Sequence, residues 1–117
     1  MSFNIFNLFP LLKFRIEENS MSPYLNPGDL VIIFRTKSVK KNDVVVFERD
    51  EDYYIKRVSK IDDDSTSPRL RGASRYFLEG DNKKDSLDSK KIGWIDKKDI
   101  IGKVIYKISK SQFLISK

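Results

Sequence analysis

Strand signals dominate the pattern of apolar and polar positions. KFRIE at 13–17 alternates, and GDLVIIFR at 28–35 and DVVVFER at 43–49 are β-branched runs, each introduced by a Gly-Asp or Asn-Asp turn. YYIKRVSKI at 53–61, RYFLEGD at 75–81 and IIGKVIYKIS at 100–109 continue the series. The connections NPGD, KKND and RDEDY are rich in turn formers, and the longest, DDDSTSPRLRGAS at 62–74, reads as a flexible hairpin tip or disordered loop. One helical turn is predicted at DKKD, 96–99. There is no internal repeat and no break in composition. The pattern predicts a single domain over 1–117, all-β, built as a compact coiled antiparallel sheet or barrel.

Composition narrows the chemistry. The 117 residues, 39% of them apolar, are enough for one modest core. Absence of cysteine excludes disulfides, thiolate zinc sites and a cysteine nucleophile. Absence of histidine excludes a Ser-His-Asp site and imidazole metal ligation, and no cofactor or metal is expected. A serine nucleophile in this chain would need another base, and lysine leads, because burial in apolar surroundings favours its neutral amine.

The formal charge of +6 favours anionic partners, either nucleic acid or anionic lipid, or else reflects a lysine-rich soluble surface. The charge is spread along the chain, with no spacing of a helix-turn-helix or RNA-recognition motif. No apolar run approaches the ~20 residues of a membrane span. The apolar start, 1–13, is broken by Pro10 and followed by no small-residue cleavage pattern, which argues against a secretory signal. It reads as a segment that touches a bilayer surface or as a strap packed on the domain.

Three stretches carry candidate chemistry. In ENSMSPYLNPGDLVII at 18–33, Ser20 stands at a rigid approach to a strand: Pro23 restrains its neighbourhood and Pro27-Gly28 turns the chain. An ordinary turn explains this as well as a nucleophile does. Lys56 lies mid-strand in YYIKRV, and alternation puts it on one face with Tyr54 and Val58, where a charge is expensive to bury; a snorkelling surface lysine is the bland alternative. In EGDNKKDSLDSKKIGW at 79–94, a tight turn precedes Asp85, Ser86, Asp88 and Ser89, which can orient an amine or simply form a polar surface loop.

Together these stretches resemble the type I signal peptidases, serine proteases that use a Ser-Lys dyad and cut after small residues. That family carries a Ser-Met-x-Pro box leading into a Gly-Asp strand, a Tyr-Ile-Lys-Arg-Val box and a Gly-Asp-Asn box with downstream Ser-x-Asp-Ser. Here SMSP with PGDLV, YIKRV and GDNKKDSLDSK follow in that order between Phe14 and Ile108. The resemblance implies the coiled β fold of the signal peptidase and LexA-like proteins. It implies Ser20 as nucleophile, Lys56 as general base, Ser86 as the lysine's hydrogen-bond partner, and Asp81 and Asp88 as supporting carboxylates. Ile16, Met21, Leu25, Tyr54 and Ile55 fall where the family lines its substrate pockets.

The implied function is endoproteolysis of exported or precursor polypeptides through an acyl-enzyme, at a peripheral membrane location, with a cytoplasmic one as the alternative. Three features depart from the larger enzymes. Glu18 replaces a hydroxyl residue of the oxyanion hole, Lys90 replaces an arginine, and the segment between Lys56 and Gly80 is short. These resemble the small anchorless maturation proteases of nickel-type superoxide dismutase. Self-cleaving LexA-like repressor domains also pair serine with lysine but lack the Gly-Asp-Asn box. Two rivals stay open: a non-catalytic basic β-barrel binding nucleic acid or an anionic surface, and an inactive protease-like scaffold that binds peptides.

Overall fold

The computed structural model describes residues 10–62, 74–83 and 94–110. Within them, the β-branched runs become strands of one antiparallel sheet: β1 (Leu11–Arg15), β2 (Leu30–Arg35), β3 (Val44–Arg49), β4 (Asp52–Asp62), β5 (Arg75–Glu79), β6 (Ile95–Asp96) and β7 (Ile100–Ile108). Their spatial order is β1-β2-β7-β3-β4-β5-β6. The all-β architecture is the expected one. Two details differ. β1 starts at Leu11, so the end of the apolar leading segment is sheet rather than strap. β6 was not anticipated, because its two residues, paired with Arg75 and Tyr76, are too few for an alternation to show. The helical turn appears as a 3-10 turn at Lys97–Asp99. Residues 1–9 and most of the 62–74 connection lie outside the described residues.

β3 turns into β4 across Asp50 and Glu51, with Arg49 paired to Asp52. Both loop residues have positive φ, 53° and 70°, the twist that two-residue hairpins need and that glycine or asparagine usually supplies. The sheet buries a cluster on each side. One holds Ile16, Met21, Leu25, Val31, Ile33, Val44, Val46 and Ile55, with Leu12, Phe14, Ile101 and Val104 packed against it. The other gathers Val39, Val45, Phe47, Val58, Tyr76, Leu78, Ile95 and Ile100. Period-two alternation explains the division, since Val44 and Val46 point one way and Val45 and Phe47 the other.

Two of the strand edges left open among the described residues flank one groove. β1 pairs only with β2, and Asp52–Lys56 pairs only with β3, because β5 ends opposite Arg57. Four antiparallel steps separate β1 from β4, so the two edges run in the same direction. They flank a groove of about 540 Å³ lined by Lys13, Phe14 and Arg15 on one side and Asp52, Tyr53, Tyr54 and Ile55 on the other, with Glu17 and Glu18 beyond β1. The groove is the gap where a barrel would close.

β7 reaches β2 through Gly102. A Cβ there would lie 2.6 Å from Ile33 Cγ2 and 3.0 Å from the Phe34 carbonyl carbon, and backbone cannot move aside as a flexible side chain can. Gly102→Ala is expected to lower unfolding free energy by about 1–3 kcal/mol through overpacking at the β2–β7 contact. Urea denaturation checks this, and an unchanged midpoint would show that the two strands can separate freely.

Candidate active site

Among the described residues, the buried polar or charged side chains are Ser20, Asp29 and Lys56, at 2%, 4% and 1% exposure. Two of these are the residues that the sequence singles out. Their burial follows from how each segment is held.

The loop carrying Ser20 is knotted by short-range bonds. The Ser22 amide donates to the Asn19 carbonyl at 3.2 Å and the Leu25 amide to the Met21 carbonyl at 2.9 Å. Ser22 Oγ lies 2.6 Å from both Asn19 Oδ1 and Asn26 Oδ1, and the Ser22-Pro23 peptide is cis. Met21 and Leu25, at 0% exposure, pin the loop into the core. Asp29 closes the loop's base: its carboxylate accepts from the Asn26 amide and from the Lys110 amide, both at 2.9 Å. Those bonds compensate its burial. Sequence reading gave Asp29 no role of its own, although an aspartate after Pro-Gly is the signal of such a turn.

Lys56 is placed by strand register. It lies opposite Val45 and on the same face as Tyr54 and Val58, all three belonging to or packed on the second cluster. Tyr54 stacks on Phe47 with ring centroids 5.5 Å apart. This surrounding excludes water from the amine.

Two residues that the sequence reading left without a role join the serine loop to the lysine strand. Arg57, next to Lys56, makes a two-pronged contact with Asp81: Nε to Oδ1 at 2.9 Å and Nη2 to Oδ2 at 2.8 Å. Its Nη1 donates to the Asn42 carbonyl at 2.9 Å, and its guanidinium stands 5.0 Å from the Tyr24 ring centroid. The hydrogen bond to Asp81 raises the Arg57 pKa above its ordinary value, against the effect of burial and with help from the Asp81 charge, so Arg57 stays cationic. One residue on, Asn82 grips the serine loop from both sides. Its amide donates to the Ser20 carbonyl at 2.8 Å and its Nδ2 to the Asn19 carbonyl at 3.0 Å. Arg57 and Asn82 stand in the YIKRV and GDN stretches, and only their partners were illegible.

Ser20 Oγ is buried and makes no hydrogen bond among the described residues, so the direct Ser20–Lys56 bond expected of a dyad is not formed. Nucleophile–base bonds in substrate-free sites are often loose and tighten on binding. Of the residues placed in substrate pockets, Tyr54 and Ile55 line the groove, whereas Ile16, Met21 and Leu25 belong to the buried cluster beneath the serine loop. Glu18 is exposed and lines the groove. Ser86, Asp88 and Lys90 lie outside the described residues. Among the described residues no acidic cluster fit to hold a metal occurs, and no helix is long and apolar enough to cross a membrane.

A coiled antiparallel sheet that clamps a serine loop against a lysine-bearing strand defines the class as a serine peptidase-type fold. The profile of the Peptidase S24-like family matches residues 9–105, most of the chain. The chain belongs to that family, which spans self-cleaving repressors and signal peptidase-like proteins. No curated protein matches it.

The clamp predicts a measurable coupling. Asp81→Asn keeps the shape of the side chain but leaves the guanidinium, about a third exposed, without its counter-charge. The expected loss of stability is about 1 kcal/mol, between the values for exposed and buried pairs. Chemical denaturation, with Arg57→Gln and the double variant completing a thermodynamic cycle, checks it. Additive losses would mean that the fork carries no coupling.

Proposed function

We propose that the protein is a serine endopeptidase of the signal peptidase type, with Ser20 as nucleophile and Lys56 as general base. The observation that carries this reading is the burial of these two side chains in segments tied together by Arg57, Asp81 and Asn82. Desolvating a lysine's charge is unfavourable, so burial favours the neutral amine that a general base requires.

In the proposed reaction, neutral Lys56 takes the Ser20 Oγ proton as Oγ bonds to the scissile carbonyl carbon. Lys56 then passes that proton to the departing amine nitrogen as the C–N bond breaks. The same amine then takes a proton from water as the water oxygen bonds to the acyl carbon, and returns it to Ser20 Oγ as the ester C–O bond breaks. The Ser20 backbone N–H would serve as one oxyanion donor. Ser86 would orient the amine by a hydrogen bond, Asp88 would support the site through an ion pair with a basic residue, and Asp81 would act through Arg57. The substrate, a precursor polypeptide cut after small residues at a membrane surface, would lie extended in the groove and pair with the open edges of β1 and β4.

One observation favours a second reading. The unbonded Ser20 Oγ and the carboxylate of Glu18 in the groove suit a scaffold that binds peptides without cleaving them. A serine-directed acylating probe separates the two: labelling of Ser20, abolished in Lys56→Ala, supports the peptidase, and labelling of neither chain overturns it.

Activity should rise toward alkaline pH as the amine loses its proton, with no imidazole present to produce that limb. Lys56→Arg should be as inactive as Lys56→Ala, because guanidinium does not act as a base at accessible pH. Cleavage of a peptide with small residues before the scissile bond, measured across pH, checks this. Substantial activity in Lys56→Arg would show that the position supplies charge rather than proton abstraction.

A further inference from the structure

The first buried cluster is closed at one end and open at the other. Beneath the serine loop it is filled by Ile16, Met21 and Leu25, at 0–1% exposure. At the opposite end, where β1 begins, a concave mouth of about 350 Å³ enters it. Ile33 and Val46, both buried, form the floor; half-buried Leu12, Phe14 and Ile101 form the walls; Tyr53, 53% exposed, is the lip. Strand order is the cause: β1 and β4 do not pair, so no described strand closes this end of the cluster. Phe14 and Tyr53, with Lys13, also line the groove, which makes mouth and groove continuous. Exposed Arg35 stands at the rim.

We propose that this mouth is a specificity subsite. It takes one bulky apolar side chain of the polypeptide, four residues before the residue whose carbonyl Ser20 attacks. The identity of the occupant rests on the peptidase reading. Spacing fixes its position. Leu12, Phe14 and Ile16 face the first cluster, and on β4 Ile55 does so, with Tyr53 two residues away on the same face. An extended segment between the two edges turns every second side chain toward that face. With the attacked residue level with Ile16, the inward side chains two and four residues away stand level with Phe14 and Leu12, the last about 13 Å from the cut. The acyl part of the polypeptide stays joined to Ser20 while the amine departs and water enters, so the walled groove suits the acyl, amino-terminal side. The cluster then sets the size of what fits. Its filled end admits only a small side chain, which accords with the small residues expected at the cut, whereas the open end leaves apolar walls that a bulky side chain would cover. A basic side chain there would meet the like charge of Arg35.

The test compares peptides with small residues first and third before the scissile bond and with alanine, leucine or lysine fifth before it. With the full chain, kcat/KM for the leucine peptide should exceed that for the alanine peptide roughly tenfold, as for a large apolar side chain in a partly open pocket. Moving the leucine to the fourth place turns it to the other face and should abolish the gain. The lysine peptide should be poorer than the alanine peptide, and Arg35→Gln should narrow that difference. Leu12→Trp, which fills the mouth, should cut the leucine preference to less than about threefold. The peptide series itself needs no variant, so a variant that misfolds leaves it intact. Anisotropy of dye-labelled peptides with the Ser20→Ala chain reads the same preference without catalysis. A leucine preference in binding, with no cleavage by the wild-type chain, keeps the subsite and overturns the peptidase reading. Cleavage at equal rates for leucine and alanine keeps the peptidase and overturns the subsite. An equal gain from leucine at the fourth place also overturns it, since that is general affinity for apolar side chains. So does equal binding of the leucine and alanine peptides, the result of a mouth already filled by residues 1–9.

Discussion

The contact between Arg57 and Asp81 sets the geometry on which the rest of the site depends. Its contribution to stability is modest, because both groups are partly open to solvent, and the two buried clusters hold the sheet together far more strongly. Its importance is positional. A planar fork fixes both distance and orientation, so β4 and the turn that follows β5 are locked at Lys56's own neighbour. From that turn Asn82 reaches the two carbonyls beside and at Ser20. Two weakly stabilising contacts thus place the serine loop relative to the lysine strand, although the two segments are remote in sequence.

The sheet and this clamp complement each other because β4 changes partners along its length. Its second half pairs with β5 and hands the fork across to Asp81, while its first half keeps an unpaired edge on the groove. Lys56 and Arg57 sit at that changeover. An open strand edge is a hazard in a soluble protein, since it invites pairing with other chains. Here the hazard is confined to a groove, with Glu17, Glu18 and Asp52 among its walls, and the edge opposite is parallel to it. A single extended segment can satisfy both edges at once, which restricts what is able to pair there.

Much of this was legible in the sequence. Valine-rich β3 and alternating β4 announce themselves, and burial of Lys56 follows from its sharing a face with Tyr54 and Val58. β6 escaped because a two-residue strand has no period, and its place is set by β5. The roles of Arg57, Asn82 and Asp29 escaped for another reason: each residue type was visible, but its partner is chosen only when the sheet brings the turns together. The same limit affects Ile16, Met21 and Leu25. An apolar residue near a site can line a pocket or fill the core beneath it, and here all three are at 0–1% exposure in the core. Ser86 and Asp88 fall outside the described residues, so their roles rest on the resemblance alone.

The absence of histidine ties core and site together. An imidazole can hold or release a proton at neutral pH while exposed, so a histidine-based site can sit in a wet cleft. An ammonium in water keeps its proton, and a lysine becomes a base only where water is kept from it. The proposed chemistry therefore requires that the lysine be part of the core, and the core here is one sheet deep. Of the residues that surround Lys56 on its face, Tyr54 and Val45 also join β3 to β4, and Val58 joins β4 to β5. Substitutions that loosen this packing would be felt twice, once as lost burial and once as a better-hydrated amine that holds its proton. In such a protein stability and basicity are not separable properties of different regions. They are two consequences of the same exclusion of water.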